Sequence, residues 1–390
     1  MKSKGKWYCG RVVFLLALVI AVALVGVGCV SGLTPIGWSG GIVSNSILYV
    51  GSNEGRLVAV NLADESLKTS DPLKLASQPG LFGCAPSAGG GCGAGISRVA
   101  IYGTPVVAGD LVYIAGYNGK IYAYDKNDIS QPRWVYPPED YLRDDKKDIV
   151  PIVGGIVAAQ GRLYFGGSDG KVYALDTNTH KELWKFPTDD KIWSTPAIDG
   201  DTLYVGSFDK KLYALNAADG KKKWEFVTEG AIISTPLVYN NTIYFGSFDR
   251  NLYAVNACDG KLKWKFMGKN WFWAEPVVFN DTIYAGCLDG NVYVLKADSG
   301  QEVKIFDLKS PVSSQPVIVD SSVIFATRKG VIYSIATGSQ DIKQVADLKA
   351  DVDGPLTAYE GIVYIHTQQL ELQRINAANG TLYSPVSLKS

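Results

Sequence analysis

Leu203-Tyr204-Val205-Gly206-Ser207-Phe208-Asp209-Lys210 is followed by Lys211-Leu212-Tyr213-Ala214-Leu215-Asn216. The same wording returns 40 residues later as Ile243-Tyr244-Phe245-Gly246-Ser247-Phe248-Asp249-Arg250. Six copies, starting at Leu163, Leu203, Ile243, Ile283, Val323 and Val363, keep that 40-residue step, and two earlier ones start at Leu48 and Val112. Eight copies of one unit at a period near 40 indicate a repeat architecture.

Each unit reads as four strands. In the unit from Trp193 they fall at about 196–199, 202–207, 211–216 and 222–227, joined by short Gly/Asp/Asn turns that suit antiparallel neighbours. The third strand, Leu212-Tyr213-Ala214-Leu215, is apolar at every position, so both of its faces must be covered. Sheets stacked around an axis meet that demand. The fold expected is all-β: an eight-bladed β-propeller of four-stranded antiparallel blades. Trp184, Trp224 and Trp264, with Trp134 in an earlier unit, recur on the fourth strand, where a large ring fills the wedge between blades.

The stretches DGKVYALDTNTHKELWKF, DKKLYALNAADGKKKWEF and DRNLYAVNACDGKLKWKF resemble the repeat of PQQ-type propellers. With eight copies and the N-terminal cysteine described below, the chain is similar to the BamB-type outer-membrane assembly lipoproteins. That resemblance implies a scaffold whose inter-blade loops dock a β-barrel assembly protein. A quinoprotein dehydrogenase of the same fold would be implied to carry an adjacent Cys-Cys pair, an Asp base and a Glu/Asn calcium site. The sequence has no Cys-Cys dipeptide. Accordingly, no catalytic residue, metal site or cofactor is expected. PQQ-dependent oxidation and an extracytoplasmic ligand- or glycan-binding sensor stay as rival readings.

The composition agrees. Of 390 residues, 47% are hydrophobic and 19% charged, which excludes a disordered chain. The 38 basic and 38 acidic side chains cancel, against the clustered positive charge that nucleic-acid binding needs. Lys2, Lys4, Lys6 and Arg11 precede an uncharged run from Val12 to Gly28, the pattern of a secretory signal or membrane anchor. Gly26-Val27-Gly28-Cys29 resembles a lipobox with Gly26 where a larger aliphatic residue is usual. Lipidation at Cys29, an uncleaved anchor and simple secretion are the three outcomes, and all put the rest of the chain outside the cytoplasm. The expected layout is a signal or anchor at 1–28, a tether at 29–35 and the propeller at 36–390. Without residues 1–28, 34 basic side chains face 38 acidic ones, a net charge of −4.

Cys84 and Cys92 flank a Gly-rich loop and are expected to pair in an oxidising compartment. Cys258, in a turn between third and fourth strands, and Cys287, between second and third, fall at opposite ends of an up-down-up-down blade architecture and are expected to stay apart. Asp169, Asp209, Asp249 and Asp289 read as turn formers rather than metal ligands. His180, in a turn, and His366, at the end of a second strand, read as structural. Gly89-Gly90-Gly91-Cys92-Gly93-Ala94-Gly95 lacks the Lys-Ser/Thr of a phosphate loop. The surplus residues between the early units, about 72–100 and 138–150, lie between blades.

Strand order puts the inter-blade loops and the second-to-third-strand turns at one end of the propeller. One position in those loops, three residues before the recurring first-strand residue, reads Trp38, Tyr102, Val153, Trp193, Ile233, Trp273, Ser313 and Asp353. Two residues later come Gly40, Thr104, Gly155, Thr195, Thr235, Glu275, Gln315 and Pro355. Aromatic rings at a channel mouth either pack between blade tips or anchor a partner, peptide or glycan. The candidate binding residues are Trp38, Tyr102, Trp193, Trp271, Trp273, Glu275 and Asp353. An envelope protein, in the form of a β-barrel assembly component, is the expected partner.

Overall fold

Hairpin after hairpin follows from the repeat, because each unit alternates apolar strand with polar turn. The computed structural model describes residues 39–52, 54–73, 99–138 and 151–388. These form 32 strands in eight separate sheets, each with its four strands in sequence order and every neighbouring pair antiparallel. The blades span 41–69, 106–136, 157–187, 197–227, 237–267, 277–307, 317–347 and 357–387. In the fourth blade the strands are Ala197–Asp199, Thr202–Gly206, Lys211–Asn216 and Lys222–Val227, within a residue of the positions expected.

Burial follows the position of each strand in its blade. Second and third strands are covered on both faces: Thr202–Gly206 is buried throughout, and Leu212 to Leu215 are all 3% exposed or less. The fourth strand alternates, with Trp224 and Phe226 half-buried between exposed lysines, glutamate and valine. Lysines on the free outer edge keep it from pairing with another sheet.

Tyrosine and tryptophan join adjacent blades through a shared carbonyl. Tyr204 Oη and Trp224 Nε1 both donate to Ala257 O of the next blade, at 3.3 and 3.1 Å. Tyr164 and Trp184 do the same to Ala217 O, and Tyr244 and Trp264 to Ala297 O. Each indole also lies on a turn glycine of the next blade. A Cβ on Gly260, whose φ is +69°, would come within 2.6 Å of the Trp224 ring. His180 occupies the equivalent turn position in the third blade, at φ +59°, and its ring stacks on Trp134 at 4.4 Å. It serves as a wedge filler. Burial holds its imidazole below the ordinary histidine range.

The ring closes by side chains between the first and last blades. Gly41 N donates to Thr357 Oγ1 at 3.0 Å, and that hydroxyl donates to Gly41 O at 2.9 Å. Arg374 pairs with Glu65 at 2.6 Å across the same seam. Leu48, Val50, Val58 and Val60 pack there against Tyr364, Leu372, Val386 and Leu388.

Candidate functional site

Each inter-blade loop enters the channel mouth as an extended segment, so its side chains alternate. In the loop before the sixth blade, Phe272 and Ala274 are buried while Trp271, Trp273 and Glu275 are half-buried. The loop before the fourth blade repeats this with Ile192 and Ser194 buried, and Lys191, Trp193 and Thr195 half-buried. The buried serines bridge the loops: Ser194 Oγ donates to Ser234 O at 3.0 Å, and Ser39 Oγ to Gly103 O at 3.0 Å. The half-buried residues thus form tiers, with the last of each set nearest the axis.

Neighbouring residues of the axial tier touch at several points around the channel. Gly155 N donates to Thr195 Oγ1 at 2.7 Å, and Gln315 Nε2 donates to Glu275 Oε2 at 2.8 Å. A Cβ on Gly40 would lie 2.7 Å from Thr104 Oγ1 and 2.9 Å from Pro355 Cβ. Burial in this tier pushes the Glu275 carboxyl up to about 8.

One tier further out, Tyr102, Trp193, Trp273 and Asp353 meet the second-to-third-strand turn of the blade before them, of their own blade, or of both. Trp193 Nε1 donates to Ser168 Oγ at 3.1 Å, and its ring meets Phe208 edge-on at 4.8 Å. Phe208 meets Phe248 at 6.1 Å, and Phe248 stacks on Trp271 at 4.2 Å and on Trp273 at 5.8 Å. Lys191 Nζ lies 4.4 Å from the Phe208 ring centre and 5.1 Å from that of Trp193, a cation–π contact with both. Five rings therefore form one connected band over the loops and turns of the fourth to sixth blades.

The other candidates sit elsewhere on the mouth. Tyr102 is only 9% exposed and packs on Tyr117 at 5.4 Å, and burial raises its phenol well above the ordinary range. Asp353 accepts from Gln368 Nε2 at 2.6 Å and Ser313 Oγ at 3.3 Å, and faces Arg328 Nε at 3.4 Å. It uses the loop-to-turn contact for charge rather than for rings. Trp38, Cys29, Cys84 and Cys92 lie outside the described residues, as does most of both inter-blade surpluses. Phe208 and Phe248 were not singled out from the sequence. Their signal was there: both precede the turn Asp in Ser-Phe-Asp, where other units carry Ser168 or Arg328.

The turn acids are occupied. Asp209 accepts from Lys211 N at 3.0 Å, from Tyr213 Oη at 2.7 Å and from Asp189 N of the preceding inter-blade loop at 3.0 Å. Asp249 and Asp289 repeat the three contacts. Among the described residues no cluster of three His, Cys, Asp or Glu is placed to hold a metal. His366 stands where other second strands end in Gly or Ala, and its Nδ1 donates to Ser39 O at 3.2 Å. Burial lowers its imidazole to about 4. Cys258 is exposed and Cys287 buried, and both are free thiols.

Fold and rim together define a PQQ-like eight-bladed β-propeller scaffold, built to present one loop-lined face. The chain belongs to the family described as outer membrane protein assembly factor BamB, whose model matches residues 39–186 and 288–383, more than half of it. That membership points to the BamB scaffold family rather than to a dehydrogenase. In sequence, the assembly factor BamB of Xanthomonas campestris pv. campestris is 27% identical over 106 residues, 27% of this chain and 26% of that protein. A lanthanide-dependent methanol dehydrogenase of Methylacidiphilum fumariolicum is 33% identical over 86 residues, 21% of this chain. The stretch matched is 14% of that enzyme's length. In structure, BamB from Moraxella catarrhalis superposes with a TM-score of 0.66 at 16% identity, over 87% of this chain and 97% of that one. The designed protein Ika8 gives 0.66 at 14% identity, over 90% and 96%. At such identities the likeness is one of fold.

Proposed function

We propose that this chain is a membrane-tethered scaffold of the cell envelope that binds a component of the β-barrel assembly machinery on its loop face. The aromatic band of Trp193, Phe208, Phe248, Trp271 and Trp273 carries the reading, joined to the family match. Rings that are half-buried in the free protein still offer contact area, and they lose little side-chain entropy on docking. Loops held by Asp209, Asp249 and Asp289 present those rings on a rigid frame. Anchorage through Cys29 or the apolar run before it would keep the face beside membrane-bound partners.

Crosslinked pull-down from the native envelope tests this. Recovery of a β-barrel assembly protein, lost on combining Trp193→Ala with Trp273→Ala, supports the scaffold. A glycan or small ligand recovered instead would favour the sensor. Stoichiometric uptake of PQQ with calcium, together with dye reduction, would replace both with a dehydrogenase.

A further inference from the structure

The axial tier is neutral apart from one residue. Around the mouth it presents glycine, threonine, glutamine and proline, and at 275 a carboxyl. Glu275 takes one hydrogen bond, from Gln315, and has no ion pair among the described residues. Its flanking loops contribute Thr235 and Gln315, which carry no charge. Two other charged groups of the mouth are engaged: Asp353 with Arg328, and Lys191 over Trp193 and Phe208. A carboxylate removed from water without a cation is costly, and a positive group brought to it recovers that cost.

What stands beside Glu275 narrows the kind of cation. Trp273 and Glu275 alternate with buried Ala274, so both belong to the exposed side of one extended segment. Trp273 is stacked on Phe248, which fixes its ring. Indole faces attract organic cations and offer nothing to a hydrated metal ion. The band also shows the contact in use, with Lys191 against two of its rings. We propose that the inner mouth around Glu275 is a receptor for an organic cation, a protonated primary amine on an aliphatic stem. The Glu275 carboxylate supplies the counter-charge and Trp273 the apolar wall. The amine is either a lysine side chain of a polypeptide or a free small amine.

Titration calorimetry on the purified full chain in detergent decides it, with hexylamine as probe and hexanol as its uncharged match. Hexylamine binds and hexanol binds at least about tenfold more weakly, one pH unit's worth of preference. Because Glu275 is largely protonated at pH 7.5, amine binding expels roughly half a proton, seen as heat that varies with buffer. Glu275→Gln abolishes that proton release and weakens hexylamine at least about tenfold. The peptide Ala-Lys-Ala outbinding 1,5-diaminopentane assigns the source to a polypeptide, and the reverse order to a free amine. Equal binding of hexylamine and hexanol overturns the proposal. So does calcium displacing hexylamine at stoichiometric concentration. If Glu275→Gln does not fold, the preference of the wild-type chain for hexylamine over hexanol, measured beside Trp273→Leu, decides.

Discussion

Replacing Gly260 by alanine adds one methyl group at a place where two independent costs meet. The residue sits at φ +69°, a left-handed conformation that costs an L residue about 1 kcal/mol or slightly more. The new Cβ would also lie 2.6 Å from Trp224 Cε3 and 2.8 Å from Cδ2. That ring cannot swing aside freely, because its Nε1 is bonded to Ala257 O at 3.1 Å. Forcing an extra carbon into packed surroundings costs about 1–3 kcal/mol more. Gly361 separates the two costs: its φ is +76°, yet nothing lies within 4 Å of its Cβ position. Gly361→Ala should therefore lose about 1 kcal/mol and Gly260→Ala about 2–4 kcal/mol. Guanidinium denaturation followed by tryptophan fluorescence measures both, provided the slope of the transition is unchanged. In a Trp224→Leu background, Gly260→Ala should cost no more than Gly361→Ala. Equal losses for the two glycines in the wild-type background would refute the claim that an indole packed on a turn glycine joins the blades.

Three further outcomes follow from the same contacts. Asp209→Ala removes the acceptor shared by Lys211 N, Tyr213 Oη and Asp189 N and should cost about 1–3 kcal/mol by the same denaturation. Adding calcium or a chelator should leave that midpoint where it was. Because His366 ionises near 4 in the fold against 6.5 in the open chain, the unfolded state binds more protons between those values. Its contribution is present above pH 6.5 and about 3 kcal/mol is withdrawn as the pH falls towards 4. His366→Asn should flatten that acid limb in midpoints measured from pH 7 to pH 4. Thr357→Val deletes both bonds to Gly41, and hydrogen exchange should quicken in the first and last blades before any other.

The fold was legible because a propeller repeats its physics as well as its words. Leu212 to Leu215, apolar throughout, announced a strand with two covered faces, and the fourth-strand tryptophans announced a wedge. The site was less legible because its geometry recurs while its chemistry does not. The same loop-to-turn contact is made by Trp193 with Phe208, by Tyr102 with Tyr117, and by Asp353 with Arg328 and Gln368. Counting recurrences finds the positions and misses Phe208 and Phe248, whose turn position carries a different residue in most units. Nor does spacing alone reveal that His180 replaces a glycine to stack on Trp134. A contact between neighbouring blades has to be seen from both sides.

A photoreactive benzoylphenylalanine at Phe248, set against the same residue at Tyr383 on the outer edge of the last blade, tests the docking face most directly. Phe248 joins the aromatic band to Trp271 and Trp273, whereas Tyr383 is 39% exposed on a fourth strand. Irradiation in the native envelope, with the adduct identified by mass spectrometry, should join a β-barrel assembly component to position 248 and not to 383. An adduct with that component at 383 alone, or at neither position, would contradict the assignment of the loop face.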